Sequence, residues 1–160
     1  MILLPRPLLK TIVDAAEAAF PEECCGLLVG YHEPPQNLIV TRVETSPNLA
    51  EDDATERFEV SPQMRLDVMR ALEGGPECIL GHFHSHPDHP AQPSERDLER
   101  AWEPEMVWLI TAVLDGQAIQ TTAHVIDADG RQFREITLRT TDWRPYAMRG
   151  PNNQNDGGTP

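Results

Sequence analysis

Two spacings of apolar residues take turns along this chain. Residues 7–19 set Leu8, Leu9, Ile12, Val13 and Ala16 three or four positions apart, with Phe20 beyond, which predicts an amphipathic helix stopped by Pro21 and packed on a sheet. Residues 25–31 and 37–45 then read as two strands of a hairpin around the turn-rich His32-Glu33-Pro34-Pro35. A polar, acidic loop is expected over 46–55 and a short alternating strand over 57–60. Ser61-Pro62 predicts a helix start, with Met64, Val68, Met69 and Leu72 on one face, and Gly74-Gly75-Pro76 ends it. The run 106–110 suits a central strand, and Asp115-Gly116 turns into another over 118–126. A last turn at Asp129-Gly130 leads into a strand over 133–138.

Between these elements lies Cys78-Ile79-Leu80-Gly81-His82-Phe83-His84-Ser85-His86-Pro87, where an apolar lead-in gives way to histidines at alternate positions. On a strand His84 and His86 face one way, with Cβ atoms roughly 6 to 7 Å apart, and Pro87 ends the strand. Both rings can therefore reach one ion, each with a nitrogen about 2.0 to 2.1 Å from it. Eleven residues after His86 comes Asp97, in the first turn of a helix that Ser94 caps and that runs to residue 101. Two imidazoles and one carboxylate leave one tetrahedral position for water, the arrangement of a catalytic rather than a structural zinc, and nitrogen with oxygen donors favours zinc over calcium or magnesium. On this reading an Asp97 engaged with metal is not available to fold back on the Ser94 backbone as a capping-box partner.

His84-Ser85-His86-Pro87, the seven residues between His86 and Ser94, and Ser94-x-x-Asp97 resemble the JAMM motif of the JAB1/MPN/Mov34 metallopeptidase domains. That motif also asks for a Glu-x-x-Gly on an early strand, and Glu23-Cys24-Cys25-Gly26 fits it where Glu22 is one residue out of register. The resemblance runs from about residue 5 to about residue 140, as in stand-alone bacterial members, and His82 departs from the aromatic or aliphatic residue common there without touching a motif position. It implies an α+β fold, a central mixed and curved sheet flanked by helices, in one domain over 1–142. It also implies roles: His84, His86 and Asp97 on Zn²⁺, Glu23 as general base and acid, and Ser94 as a donor to the developing oxyanion as well as a cap.

Composition narrows the partners. Lys and Arg number 13 against 26 Asp and Glu, a formal net charge of −13, and Lys10 is the one lysine. A nucleic-acid or anionic-membrane partner needs a basic face that is missing. Three cysteines, an odd number without a Cys-x-x-Cys pair, point to reduced thiols in a cytoplasmic protein. No segment has the length of a membrane span or the apolar core of a signal peptide, and residues 143–160, rich in Asn, Gly and Pro, read as a disordered tail.

A zinc at these ligands lowers the pKa of its water towards about 7 and polarises a carbonyl, the chemistry of amide hydrolysis. Small members of the family resemble enzymes that cut after the C-terminal Gly-Gly of ubiquitin-like sulfur carriers. A peptidase or isopeptidase acting on such a tail is therefore the expected function, the tail adding to a sheet edge as an extended strand. A non-catalytic MPN scaffold and a RadC-like relative are the alternatives. His82 is expected in the core or behind the ligands, and Asp88 and His89 along the groove.

Overall fold

The computed structural model describes residues 1–127, 129 and 132–142. Gly130 of the expected last turn and the tail from 143 onward lie outside the described residues. Eleven elements follow one another: β1 (Ile2–Pro5), α1 (Arg6–Ala19), β2 (Cys25–Glu33), β3 (Asn37–Ser46), α2 (Pro62–Leu72), β4 (Cys78–Pro87), α3 (Glu95–Arg100), β5 (Val107–Leu114), β6 (Gln117–Ile126), β7 (Phe133–Ile136) and β8 (Leu138–Thr141). The elements depart from the sequence expectation at three places. The chain before Pro5 forms β1, paired in parallel with β3 and β8. Residues 57–60 make no strand, only a single bridge between Val60 and Asn48. The strand expected over 133–138 is broken at Thr137 into β7 and β8.

That break shapes the molecule. The sheet order is β7-β6-β5-β4-β2-β3-β1-β8, so β7 and β8 sit at opposite edges although one residue separates them in sequence. A flat sheet cannot satisfy this, and the eight strands curl until their edges meet. The expected mixed, curved sheet is thus present. α1 lies on its concave face, where Leu8, Ile12 and Ala16 pack with Ile2, Leu4, Leu28, Val40, Phe83 and Leu109 in the main core.

Strand parity sends a different set outward. Along β2, Leu27 and Val29 meet Val68 of α2. Cys25 packs with Phe58 and Trp108, so it fills the interior as a small apolar group. A bulge where Leu28 and Val29 oppose Gly81 and Ile79 inserts Leu80, which lets Leu80 and Phe83 both enter the main core while His82, His84 and His86 face away from it. Gly26 makes the same crossing possible: a Cβ there would stand 2.2 Å from the Glu44 carbonyl oxygen and 2.4 Å from the Phe83 ring. The close approach is the physical reason for glycine in the Glu-x-x-Gly segment.

β4 is central, antiparallel to β2 and parallel to β5, and the return from β4 to β5 carries α3 across the convex face. Over that face the loop of residues 88–94 packs Ala91 on Ile110 and Ala112. The histidine end of β4 is therefore roofed by two segments, this loop and the segment between β3 and α2.

Candidate metal centre

His84, His86 and Asp97 are all buried, and each brings a donor atom to within 4.8 Å of the others. His84 Nε2 stands 3.0 Å from His86 Nε2. Asp97 Oδ1 is 3.3 Å from His84 Nε2, and Asp97 Oδ2 is 3.3 Å from His86 Nε2. Ligands held tetrahedrally at about 2.0 to 2.1 Å from one ion are about 3.3 Å apart, and each of these separations is close to that edge, with Asp97 meeting the two histidines through different oxygens. The donor set fits zinc by distance and by chemistry.

The helix that delivers Asp97 carries a full capping box. The Asp97 amide donates to Ser94 Oγ at 3.1 Å, and both the Ser94 amide and its hydroxyl donate to Asp97 Oδ2, at 2.7 and 2.8 Å. The expected exclusion between capping and facing the metal is corrected here: a carboxylate has two oxygens, and while Oδ2 closes the cap, Oδ1 still points at His84. The cap thereby orients the carboxylate. Burial alone would raise the Asp97 pKa, but the two histidines and the Ser94 amide outweigh it and hold the group ionised well below the usual range.

His86 is held by hydrogen bonds. Its Nδ1 lies 2.9 Å from the Pro90 carbonyl oxygen, which can only accept, so Nδ1 bears the proton and Nε2 keeps its lone pair for the triangle. The loop carrying that carbonyl is pinned from β6, where Thr122 Oγ1 donates to Ala91 O at 2.5 Å and His124 Nε2 stands 2.9 Å from the same hydroxyl. Thr122 and His124 are the supports that sequence reading passed over, and no spacing relative to the motif marks them. Burial would lower the His86 pKa, yet bonds to Asp97 and Pro90 leave it raised, whereas His84, fully enclosed, is lowered by burial.

Glu23 precedes β2. Cys25 pairs with His84, and the Ser85 amide donates to Cys24 O, so the antiparallel register carries Glu23 to the level of His86. It is buried, with its amide donating to Ala54 O at 2.7 Å and its carbonyl accepting from Asn48 Nδ2 at 3.0 Å. Burial raises its pKa to about 8 from 4.5; the His86 charge pulls the other way, and the Asp97 charge adds to the rise. Glu22, the rejected neighbour, is exposed. A cavity of about 460 Å³ beside the triangle is lined by Glu23, His86, His89, Pro90, Ser94 and Arg96 among others.

The remaining expectations divide. His82 sits behind His84 against Trp108, ring centroids 4.1 Å apart, with its Nδ1 buried; enclosure and the neighbouring His84 push its pKa down to about 3. His89 stands at the rim, 4.0 Å from Glu56. Asp88 turns away from the groove to accept from the Asp115 amide. β4 is paired with β5 as far as Pro87 and with β2 only as far as His84, and the groove beside its histidine end is roofed.

Residues 5–125 match the family of prokaryotic homologs of the JAB domain. The chain belongs to that family. The desampylase of Haloferax volcanii is 32% identical over 118 residues, 74% of this chain and 78% of its own length. The CysO-cysteine peptidase of Mycobacterium bovis is 28% identical, covering 72% of this chain and 75% of its own. In fold the chain is similar to a JAB1/MPN domain protein of Archaeoglobus fulgidus, with a TM-score of 0.54 at 23% identity over 87% of this chain and 96% of that one. The resemblance read from the motif is borne out, and the chain is a peptidase of this family.

Proposed function

We propose that this chain is a zinc peptidase or isopeptidase that hydrolyses the amide bond after the C-terminal Gly-Gly of a ubiquitin-like sulfur-carrier protein. The observation that carries the reading is the buried triangle of His84, His86 and Asp97 with Glu23 enclosed at its side. His84 and His86 through Nε2, and Asp97 through its carboxylate, would hold the ion. Zinc there supplies a Lewis acid for the scissile carbonyl and an acidified water.

Glu23 takes the proton from the attacking water and delivers it to the leaving amine. Burial beside His86 raises its pKa to about 8 in the metal-free chain, so this carboxyl holds a proton more readily than an exposed one, the property that a proton carrier needs. Ser94 has its hydroxyl hydrogen committed to Asp97 in this structure, so capping is its first role; turning that O–H into the groove would let it donate to the developing oxyanion. Pro90, Pro93 and His89 line the groove, where a glycine tail has no side chain to clash with them.

The names of the relatives support the substrate class, since the two curated ones are a desampylase and a CysO-cysteine peptidase. The net charge of −13 suits a carrier with a basic face and makes association weaken with salt. The free thiols of Cys24, Cys25 and Cys78 suit a cytoplasmic setting, and among the described residues no helix is long and apolar enough to cross a membrane. An enclosed, complete donor set speaks against a non-catalytic scaffold. The test is a carrier fusion bearing residues after Gly-Gly, incubated with zinc-loaded protein and followed by mass spectrometry. Cleavage after Gly-Gly, lost when the pair becomes Val-Val, is expected; equal cutting of the Val-Val fusion would remove the carrier-tail reading.

A further inference from the structure

His84 lacks the support that His86 has. Its Nδ1 is buried without a hydrogen-bond partner among the described residues, although the outer nitrogen of a metal-binding histidine usually donates to a carbonyl, a carboxylate or water. What touches the ring instead is Phe58, stacked on it with centroids 4.2 Å apart and planes 17° from parallel. Trp108 closes a second side edge-on, at 5.9 Å and 88°.

Phe58 comes from the segment between β3 and α2 and is itself clamped. Arg100 of α3 donates from Nη1 to the Phe58 carbonyl at 2.5 Å and sets its guanidinium carbon 5.8 Å from the ring centre. Two residues earlier Glu56 takes an ion pair from Arg96 at 2.8 Å. The roofing segment is thus fastened to the helix that carries Asp97, on both sides of that residue in sequence. Phe58 is the side chain by which this segment reaches a donor of the triangle.

We propose that Phe58 is a positioning residue for His84: its stacked ring, in place of a hydrogen bond, fixes the imidazole plane that brings Nε2 to the metal position. The proposal rests on the zinc reading given above. The χ2 torsion of histidine is broad, and with no bond at the outer nitrogen the plane of the ring is left to the contacts of Nε2 and to packing. Phe58 and Trp108 together leave a flat slot that does so. An aliphatic side chain of similar volume would fill the space without presenting a plane.

The experiment measures zinc affinity by competition with a chromophoric chelator, and the visible absorption of the cobalt-loaded chain, for the native protein and four variants. Phe58→Leu and Phe58→Met fill the site without a flat ring, and two replacements guard against a misfold peculiar to one. Both should bind zinc about tenfold more weakly, the low end for lost outer support, and change the cobalt spectrum. Phe58→Tyr, which restores a ring, should recover native affinity and spectrum. Phe133→Leu trims the same aromatic cluster where Phe133 meets Trp108 and His124 and should leave both readouts native. Native affinity and spectrum in Phe58→Leu and Phe58→Met would overturn the proposal alone, as would an equal loss in Phe133→Leu, which would make the effect general packing. A native chain that takes up no zinc removes the metal reading and this proposal with it.

Discussion

Two residues apart on β4, His86 and His84 present the same atom to the same point and are held there by different forces. On the His86 side everything is directional: Nδ1 to Pro90 O, then Ala91 O to Thr122, then Thr122 to His124, a chain of bonds running from the loop of residues 88–94 to β6. On the His84 side contact is by surface: Phe58 on one face and Trp108 at the edge, with Nδ1 unbonded among the described residues. The difference follows from what roofs each ring. A loop turning tightly after Pro87 exposes backbone carbonyls to its neighbour, whereas the longer segment from β3 to α2 lays a side chain over the sheet. One ring is specified by lone pairs and the other by shape, so the two should answer differently to substitution.

The largest effect should come from the triangle itself. His84→Ala or Asp97→Ala should abolish stoichiometric zinc uptake, measured by elemental analysis of dialysed protein; full zinc in the double variant would void the ligand assignment on both sides at once. Next in size, Glu23→Gln should keep zinc and fold but lower turnover of the carrier fusion by about a hundredfold or more, as expected for a missing general base. Zinc loss in that variant would make Glu23 a ligand, and unchanged turnover would remove it from the mechanism.

Thr122→Val sharpens the comparison directly. It cuts the bonded chain behind His86 without touching a ligand, and it should weaken zinc binding about tenfold, with Thr122→Ser restoring it because the hydroxyl and not the shape is needed. Phe58 should show the reverse pattern, tolerant of a new hydroxyl in Phe58→Tyr and intolerant of a lost ring. If Thr122→Ser fails to restore binding, the His86 side too is held by packing and the contrast collapses.

The smallest effect is on stability against pH in the metal-free chain. Burial raises the Glu23 pKa from 4.5 to about 8, so between those values the folded state keeps a proton that the unfolded state has released. Folded stability must then fall as pH rises through that window, the opposite of an ion-paired carboxylate. Glu23→Gln should remove this slope and melt a few degrees above the native chain at about pH 8, with little difference at about pH 5. A melting gap that widens towards acid would contradict the enclosed, protonated carboxyl.

What could be read from the chain depended on how local each cause is. His84 and His86 share a face because strand parity alone puts them there, and Ser94 with Asp97 forms a cap within one helical turn. Glu23 was legible only through family likeness, since nothing local tells it from the exposed Glu22. Thr122, His124 and Phe58 were not legible at all: Thr122 acts through a partner 31 residues distant, His124 through Thr122, and Phe58 through ring stacking, and an ordinary strand or loop composition surrounds each.

By itself the sequence determined the periodic elements, the two imidazoles on one strand face, the cap that aims Asp97, and the shortage of basic charge. Those follow from the spacing of residues within a strand or a turn, and they hold wherever no distant contact opposes that local preference. Only the tertiary structure decided that the first residues form β1, that Thr137 divides one apolar run into two strands, and that these lie at opposite edges of the sheet. A curled sheet must bring its edges together, and that demand overrides the local preference of residues 133–138 to stay one strand. The same long-range packing chose Phe58 to lie on His84 and let one carboxylate both close a cap and face the histidines. Such choices depend on which surfaces remain uncovered once the strands are paired, and that is settled by the whole chain rather than by any stretch of it.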